Sequence, residues 1–310
     1  MKIYAIVITY NGLEWADRCF ESLRNSETPV HTIAIDNGST DGTVEKLKND
    51  YPEVELIENG TNLGFGRANN IGLAKALKDK VNYVFLLNQD AWIKPDTILK
   101  LTRAAENHPE YGILSPIHLN GKEDKLDFQF KTYLVHSVGN DLYSDLIINK
   151  TPPKTVYHVS YVNAAAWLIG SENLQKIGGF DPLFDHYGED NDYINRLIYH
   201  KYKIGVVINA FIAHDREGRE TNWDFHRKYT AELIKLKDIN TDVNINLKQI
   251  KKSYYNNLFK ALIFVFYKGK SKRFKEKTKI QLKLKHNYPK IIEHREECMI
   301  QQPNFLNTKT

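Results

Sequence analysis

Two hydrophobic periods alternate along the first half of the chain, and their alternation predicts repeated strand–helix units. Ile3–Thr9 is a β-branched run closed by Asn11-Gly12, after which Trp15, Cys19, Phe20 and Leu23 recur at helical spacing. Thr32–Ile35 reads as a second strand ending at Asp36-Asn37-Gly38. Ser39, Thr40 or Asp41 can cap the helix that follows, with Val44 and Leu47 facing inward. Val54–Ile57 is a third strand turned by Asn59-Gly60, and Ala68–Lys80 a helix with Ile71, Ala74 and Leu77 on its apolar side. Tyr83–Leu87 is apolar throughout, as expected of a strand covered on both faces. Pro95 falls at the first turn of the next helix, where a missing N–H costs nothing.

Past that point the pattern loosens. Ser115 to Ser160 mixes short β runs with Gly121, Gly139 and Pro152-Pro153, and is expected to pack on the sheet edge and line a site. Val162–Ile169 is apolar, Ser171 caps a short helix ending at Gly178-Gly179, Glu189–Tyr199 is helical, and Ile204–Ile208 is a last strand. The sum is an α/β fold, a mostly parallel sheet flanked by helices on both faces. Such sheets bind ligands beyond their strand carboxyl ends. Thr9-Tyr10-Asn11, Asp36-Asn37 and Asn88-Gln89-Asp90 should therefore converge on one edge.

Composition narrows the class. The 310 residues are 42% hydrophobic and 26% charged, which supports a sizeable core and excludes a disordered or disulfide-stapled chain. Cys19 and Cys298 are too few for a disulfide framework or a four-cysteine zinc site, and fit a reducing compartment. No apolar run reaches the roughly 20 residues of a spanning helix. The opening MKIYAIVITYNG reads as a strand rather than a signal peptide, so a cytoplasmic location is expected. The net charge of +5 is unevenly spread: residues 251–295 carry 14 Lys and Arg against Glu276 and Glu293, leaving a mildly acidic body. Tyr254–Tyr267 is apolar nearly all round. This basic stretch reads as a docked helix with a solvated end, or as a peripheral contact with an anionic membrane surface. Nucleic acid is disfavoured, since the stretch has only Arg273 and Arg295 and no recognisable motif.

The candidate chemistry is acidic. Asp36 reads either as a turn residue or as a carboxylate accepting hydrogen bonds from a nucleotide base or ribose. Asn62–Gly72 places glycines ahead of a helix, where backbone can approach phosphate or ribose, yet it is not the dinucleotide fingerprint. Asp90 reads as a loop acid or as a ligand for Mg²⁺ or Mn²⁺ bridging substrate phosphates. Gly178–Asp192 concentrates five carboxylates. Glu189, Asp190 and Asp192 open a helix, where some serve as caps and one can act as general base. His214 and Trp167 each have a plain structural reading.

Taken together, Val7–Asn11, Ile35–Gly42, Asn62–Gly72, Leu86–Asp90, Gly178–Asp181, Gly188–Asp192 and His214 resemble the family 2 glycosyltransferases of GT-A fold. The similarity is greatest to their rhamnosyltransferase-like branch, and it spans roughly residues 1–225. It implies a catalytic domain over 1–240 and a helical basic C-terminal extension over 241–310. It also implies an inverting, metal-dependent transfer from a UDP- or dTDP-sugar to a glycan or lipid-linked glycan, in bacterial surface polysaccharide synthesis. By that resemblance Thr9, Tyr10, Asp36, Asn69 and Asn70 would contact the nucleotide. Asp90 and His214 would hold Mg²⁺ or Mn²⁺, and Asp190 would be the catalytic base. Trp167, Glu189 and Asp192 are the acceptor candidates. Asn88 stands where the family's metal motif has its first acid, and Gln89 where it usually has proline. The rival readings are a nucleotidyltransferase, which would carry a basic glycine-rich loop where Tyr10–Glu14 stands, and a non-catalytic carbohydrate-binding protein of the same fold.

Overall fold

The computed structural model describes residues 1–136, 140–149, 154–185, 187–216 and 272–306, with shorter stretches between 230 and 259. Strands β1 (Ile3–Thr9), β2 (His31–Asp36), β3 (Glu55–Glu58) and β4 (Tyr83–Asn88) alternate with helices α1 (Leu13–Arg24), α2 (Thr43–Asp50) and α3 (Phe65–Lys78). These four strands are parallel, in the order β3-β2-β1-β4. The second half adds β5 (Ala91–Ile93), α4 (Thr97–Asn107), β6 (Tyr111–Asn120), α5 (Phe128–His136), α6 (Asn140–Asn149) and β7 (Val156–Val159). It continues with β8 (Ala166–Gly170), α7 (Ser171–Ile177), α8 (Glu189–Tyr199) and β9 (Lys203–His214), and a last helix, α9, spans Lys272–Cys298.

The sheet carries on as β4-β8-β6-β9-β5, with β8 antiparallel to both neighbours and β6 parallel to β9. Along its other side β9 is antiparallel to β7 over Ile204–Val207 and to β5 over Ile212–His214. The β6–β9 register shifts between Pro116 and Ile117: Pro116 faces Val207 and Ile117 faces Phe211, so the β9 residues between them bulge out. Proline has no N–H to give the ladder, and a bulge is where a sheet tolerates that.

Alternation of side chains sends successive residues of each central strand into different cores. Ile6, Ile33, Ile35, Val84 and Leu86 pack in one layer with α3, α7 and α8. Ala5, Val7, Ala34, Phe85 and Leu87 pack in the other with α1, α2 and α4. Gly72 lets α3 lie close on β1, because a Cβ there would sit 2.8 Å from Ile6 Cδ1. Three boundaries differ from the sequence expectation. Helix α3 starts a turn early, at Phe65, because Asn62 Oδ1 accepts from Gly64 N (2.9 Å) and turns the chain into it. Pro95 precedes α4 rather than entering it, its carbonyl accepting from Glu27 N (2.9 Å). Strand β9 resumes after the bulge and reaches His214 instead of stopping at Ile208.

A buried guanidinium joins α7 and α8 to the loop between them. Arg196 Nε donates to Asp192 Oδ2 (2.8 Å), Nη1 to Ile177 O (2.8 Å) and Nη2 to Gly179 O (2.7 Å). Next to it Gly178 holds φ +84°, and a Cβ there would lie 2.1 Å from Asn304 O. Gly179 N donates to that same carbonyl (2.8 Å) and His294 Nδ1 meets Asp181 Oδ1 (2.7 Å). Ile280, Leu284 and Ile291 of α9 pack with Leu183 and Leu233. The C-terminal helix thus docks on the loop leading into α8. The apolar stretch Tyr254–Tyr267 lies largely outside the described residues. Among the described residues no helix is long and apolar enough to cross a membrane.

Removing one partner of a buried ion pair leaves an uncompensated charge, at a cost of about 3–5 kcal/mol. Arg196→Met should destabilise the protein by about that amount in urea denaturation. The double variant Arg196→Met/Asp192→Asn should recover part of the loss.

Candidate active site

Strand pairing brings together two residues far apart in sequence. Ala91 faces His214 across the β5–β9 ladder, and Asp215 N donates to Asp90 O (2.9 Å). Asp90 Oδ1 consequently lies 3.4 Å from His214 Nε2, both side chains buried. On its other side His214 Nδ1 accepts from Arg216 Nε (3.2 Å). Arg216 Nη1 reaches Gln129 Oε1 (2.8 Å) and Nη2 faces Asp127 Oδ1 (3.5 Å), both at the start of α5. Tyr133, one turn along α5, donates to the same Gln129 Oε1 (3.2 Å) and meets the Tyr161 ring edge-on at 4.9 Å. Tyr161 Oη in turn donates to Asp190 Oδ2 (2.6 Å). An unbroken path of contacts therefore runs from Asp90 and His214 to Asp190 at the head of α8.

Two donors 3.4 Å apart can share a hard divalent ion about 2.1 Å from each, and such ions complete their shell with phosphate oxygen and water. Among the described residues no group of three or more His, Cys, Asp or Glu is gathered to hold a metal. The pair suits an ion that arrives with a phosphorylated ligand rather than a closed structural site.

At the far end of the path burial dominates. It raises the Asp190 pKa, against the opposing hydrogen bonds from Tyr161 and from Asn191 N (2.8 Å). Burial, then the neighbouring Asp190 charge, pushes Glu189 up to about 7. Asp238 is also pushed up to about 7, by burial and then by Asp192 and Asp190. Glu189 Oε2 and Asp238 Oδ1 have no hydrogen-bond partner among the described residues. Perturbed acids of this kind, unsatisfied among the described residues, make this end of the path a candidate site.

The remaining expected residues divide. Asp36 is buried and accepts four hydrogen bonds, from Thr9 Oγ1 (2.9 Å), Gly38 N (2.9 Å), Ser39 N (2.8 Å) and Ser39 Oγ (2.5 Å). Tyr10 is exposed nearby, its backbone clamped by Gln89, whose Oε1 accepts from Tyr10 N (2.8 Å) and whose Nε2 donates to Tyr10 O (3.1 Å). That clamp is a structural task for the glutamine standing where proline is usual.

Four of the expected residues are engaged within the fold. Trp167 is fully enclosed, with Phe180 and Tyr193 against its ring, and presents no face to an acceptor. Asp192 is buried in its ion pair with Arg196. Asn70 joins α3 to the α7–α8 loop, accepting from Phe180 N (2.7 Å) and donating to Phe180 O (2.8 Å), so its amide is not turned to a nucleotide. Asn69 is buried and donates to Phe65 O (3.0 Å) within its own helix. Sequence reasoning missed Gln129, Tyr133, Tyr161 and Arg216, which fall in or beside stretches without clear periodicity. A cavity of about 490 Å³ lined by His108, Tyr111, Lys154 and Tyr157 opens at the start of β6, the end of that strand away from Asn120 and His214, and is separate from this site.

Residues 4–165, over half of the chain, match the family model described as Glycosyl transferase family 2. The chain belongs to glycosyl transferase family 2. Among curated relatives of this family 2 protein, the N-acetylglucosaminyl-diphospho-decaprenol L-rhamnosyltransferase of Mycobacterium tuberculosis is 28% identical over 216 residues, 62% of this chain and 69% of its own length. The dTDP-rhamnosyl transferase RfbF of Shigella flexneri is 23% identical over 215 residues, 69% of each chain. Among solved structures, S. aureus TarS 1-349 in complex with UDP-GlcNAc superposes with a TM-score of 0.54 at 18% identity, covering 96% of this chain and 82% of that fragment. The mannosyltransferase PcManGT of Pyrobaculum calidifontis, in complex with GDP-Man and Mn2+, gives 0.53 at 15% identity, covering 96% and 73%. The fold is thus the GT-A type, and the protein is a glycosyltransferase similar in sequence to these two rhamnosyltransferases.

Glu189 also gives a stability test. Its ordinary pKa is 4.5 and its folded value about 7, so the native state holds that proton more tightly than the unfolded chain. The stability it contributes is complete below about pH 4.5 and is lost as pH rises toward 7. Glu189→Gln should therefore be more stable than the parent at pH 8, by up to about 3 kcal/mol, with the advantage vanishing near pH 4.5 in thermal denaturation across pH.

Proposed function

We propose that this family 2 protein is an inverting transferase that moves a sugar, rhamnose by the names of its relatives, from a dTDP- or UDP-sugar to a hydroxyl of a glycan or lipid-linked glycan. The observation that supports this most is the continuous path from the Asp90–His214 pair to Asp190. A leaving-group site and a base site belong at its two ends. Tyr10 and the Asp36 turn receive the nucleoside. The Ser39 hydroxyl is the Asp36 partner that a ribose hydroxyl or base N–H replaces.

Asp190 accepts the acceptor's hydroxyl proton. The freed oxygen attacks the anomeric carbon, and the carbon–oxygen bond to the diphosphate breaks with its electron pair staying on the nucleoside diphosphate. In-line attack inverts the anomeric centre. A placed carboxylate contributes about 10²–10⁴-fold at such a step. Burial keeps Asp190 basic enough to take a proton, and the Tyr161 hydroxyl aims its second oxygen. Mg²⁺ or Mn²⁺ bound between Asp90 and His214 would supply electrostatic stabilisation of charge developing on the diphosphate. A lipid-linked acceptor would bring the enzyme to the cytoplasmic face of a membrane, with basic residues of the 251–295 stretch other than the buried Arg295 against anionic headgroups.

Calorimetry with dTDP-rhamnose and UDP-sugars, with and without Mn²⁺, tests the donor assignment: metal-linked binding is expected, and none with any nucleotide sugar would end it. Asp190→Asn should retain donor binding while losing transfer by at least about 10²-fold. Tyr161→Phe removes a hydrogen bond that favours the Asp190 carboxylate, so the Asp190 pKa rises further. The acidic limb of the pH–rate profile should move to higher pH, with a larger loss of kcat on that limb than on the plateau above it.

A further inference from the structure

A bulky side chain is rarely found on left-handed backbone, because its Cβ crowds the following carbonyl. Two aromatic residues adopt that conformation, Phe305 (φ +62°) and Tyr187 (φ +61°). For Phe305 packing offsets the strain: its ring lies 5.2 Å from His294 and 5.4 Å from the Arg196 guanidinium. Tyr187 has no such compensation. It is 74% exposed, and among the described residues its ring has no aromatic or hydrogen-bond partner. Helix capping does not account for it either. Lys80 and Lys201 are left-handed just past the ends of α3 and α8, where such a residue is a usual stop. Tyr187 instead precedes Gly188, the N-cap of α8. From that place an apolar residue commonly packs on the fourth residue of the helix. The fourth residue of α8 is Asp192, already committed to Arg196 (2.8 Å).

The neighbouring backbone is closely packed. Gly188 is also left-handed (φ +94°), and a Cβ there would lie 2.9 Å from each of Phe184 Cδ1, Ile234 Cγ2 and Asp238 Oδ1. Tyr187 is therefore anchored through its neighbour at the head of α8. Asp190 follows three residues later, a span of at most about 11 Å, so one bound glycan can touch both. Around Gly188, Glu189 Oε2 and Asp238 Oδ1 lack partners among the described residues. An exposed aromatic face together with unsatisfied carboxyl oxygens matches one class of ligand. A sugar ring offers a face of C–H groups to stack and an edge of hydroxyls to donate. Strain kept at an exposed residue beside a base points to function rather than stability. We propose that Tyr187 is the platform on which a pyranose ring of the glycan acceptor stacks, so that its hydroxyl is presented to Asp190. This rests on the glycan-transfer reading above and adds the residue that orients the acceptor.

Saturation-transfer difference NMR with the methyl glycosides of N-acetylglucosamine, glucose, galactose and rhamnose, in the presence of UDP or dTDP, tests this without turnover. At least one glycoside should receive saturation mainly on the C–H groups of one ring face. Tyr187→Phe keeps the ring and should bind that glycoside within about twofold of the parent. Tyr187→Gly should bind it at least about fivefold more weakly, the loss of one aromatic contact. The glycine variant should nonetheless melt no lower than the parent, because glycine adopts positive φ without strain. Absence of saturation transfer in the parent overturns the proposal, as does parent-like glycoside affinity in Tyr187→Gly. A melting temperature that falls in Tyr187→Gly also overturns it, since the ring would then serve the fold. Glycoside binding that is lost in Tyr187→Gly, in a protein that takes up neither UDP nor dTDP, would support the platform and count against the nucleotide-sugar reading instead.

Discussion

The register of β9 fixes the chemistry of this molecule. The strand is hydrogen-bonded to β6 along one side and to β7 and then β5 along the other, so its position is set from three directions. Because side chains alternate across a sheet, a slip of one residue would turn His214 to the opposite face. The imidazole would then lose Asp90 and Arg216 together. No loop rearrangement can substitute for that pairing, since Asp90 immediately precedes the three-residue strand that meets the end of β9.

Around this fixed point the polar groups of α8 behave in two ways. Asp192 and Arg196 are buried and mutually satisfied, with further guanidinium donors on the carbonyls of Ile177 and Gly179. That arrangement serves architecture, joining α7, α8 and the loop on which α9 docks. Glu189, one turn away on α8, and Asp238, from a separate stretch of chain, each keep an oxygen without a partner among the described residues. Asp192 and Glu189 thus share one helix, the first satisfied and the second not. Proximity in sequence, as in Glu189-Asp190-Asn191-Asp192, gives no guide to which is which.

The parallel half of the fold was legible because its signals are local: β-branched runs, helical spacing and Asn-Gly turns suffice for β1 to β4 and the helices between them. The convergence of Asp36 and Asp90 on one sheet edge follows from that topology alone. The antiparallel second half was less legible, because β8 and β9 earn their places through long-range pairing. Trp167 misled for a related reason: an aromatic in an apolar run serves a core or a sugar equally well until its neighbours are known, and here Phe180 and Tyr193 come from elsewhere in the chain. Gln129, Tyr133, Tyr161 and Arg216 carry no motif. Their significance lies wholly in which atoms they face.

The bulge between β6 and β9 interrupts the register of their ladder. Beyond it lies the short terminal stretch of β9 that ends at His214, tied to the core through Ile212. Lengthening or trimming the extruded residues would shift that stretch relative to the rest without breaking the ladder elsewhere. A bulge of this kind re-aims the end of a strand while the scaffold around it is inherited intact.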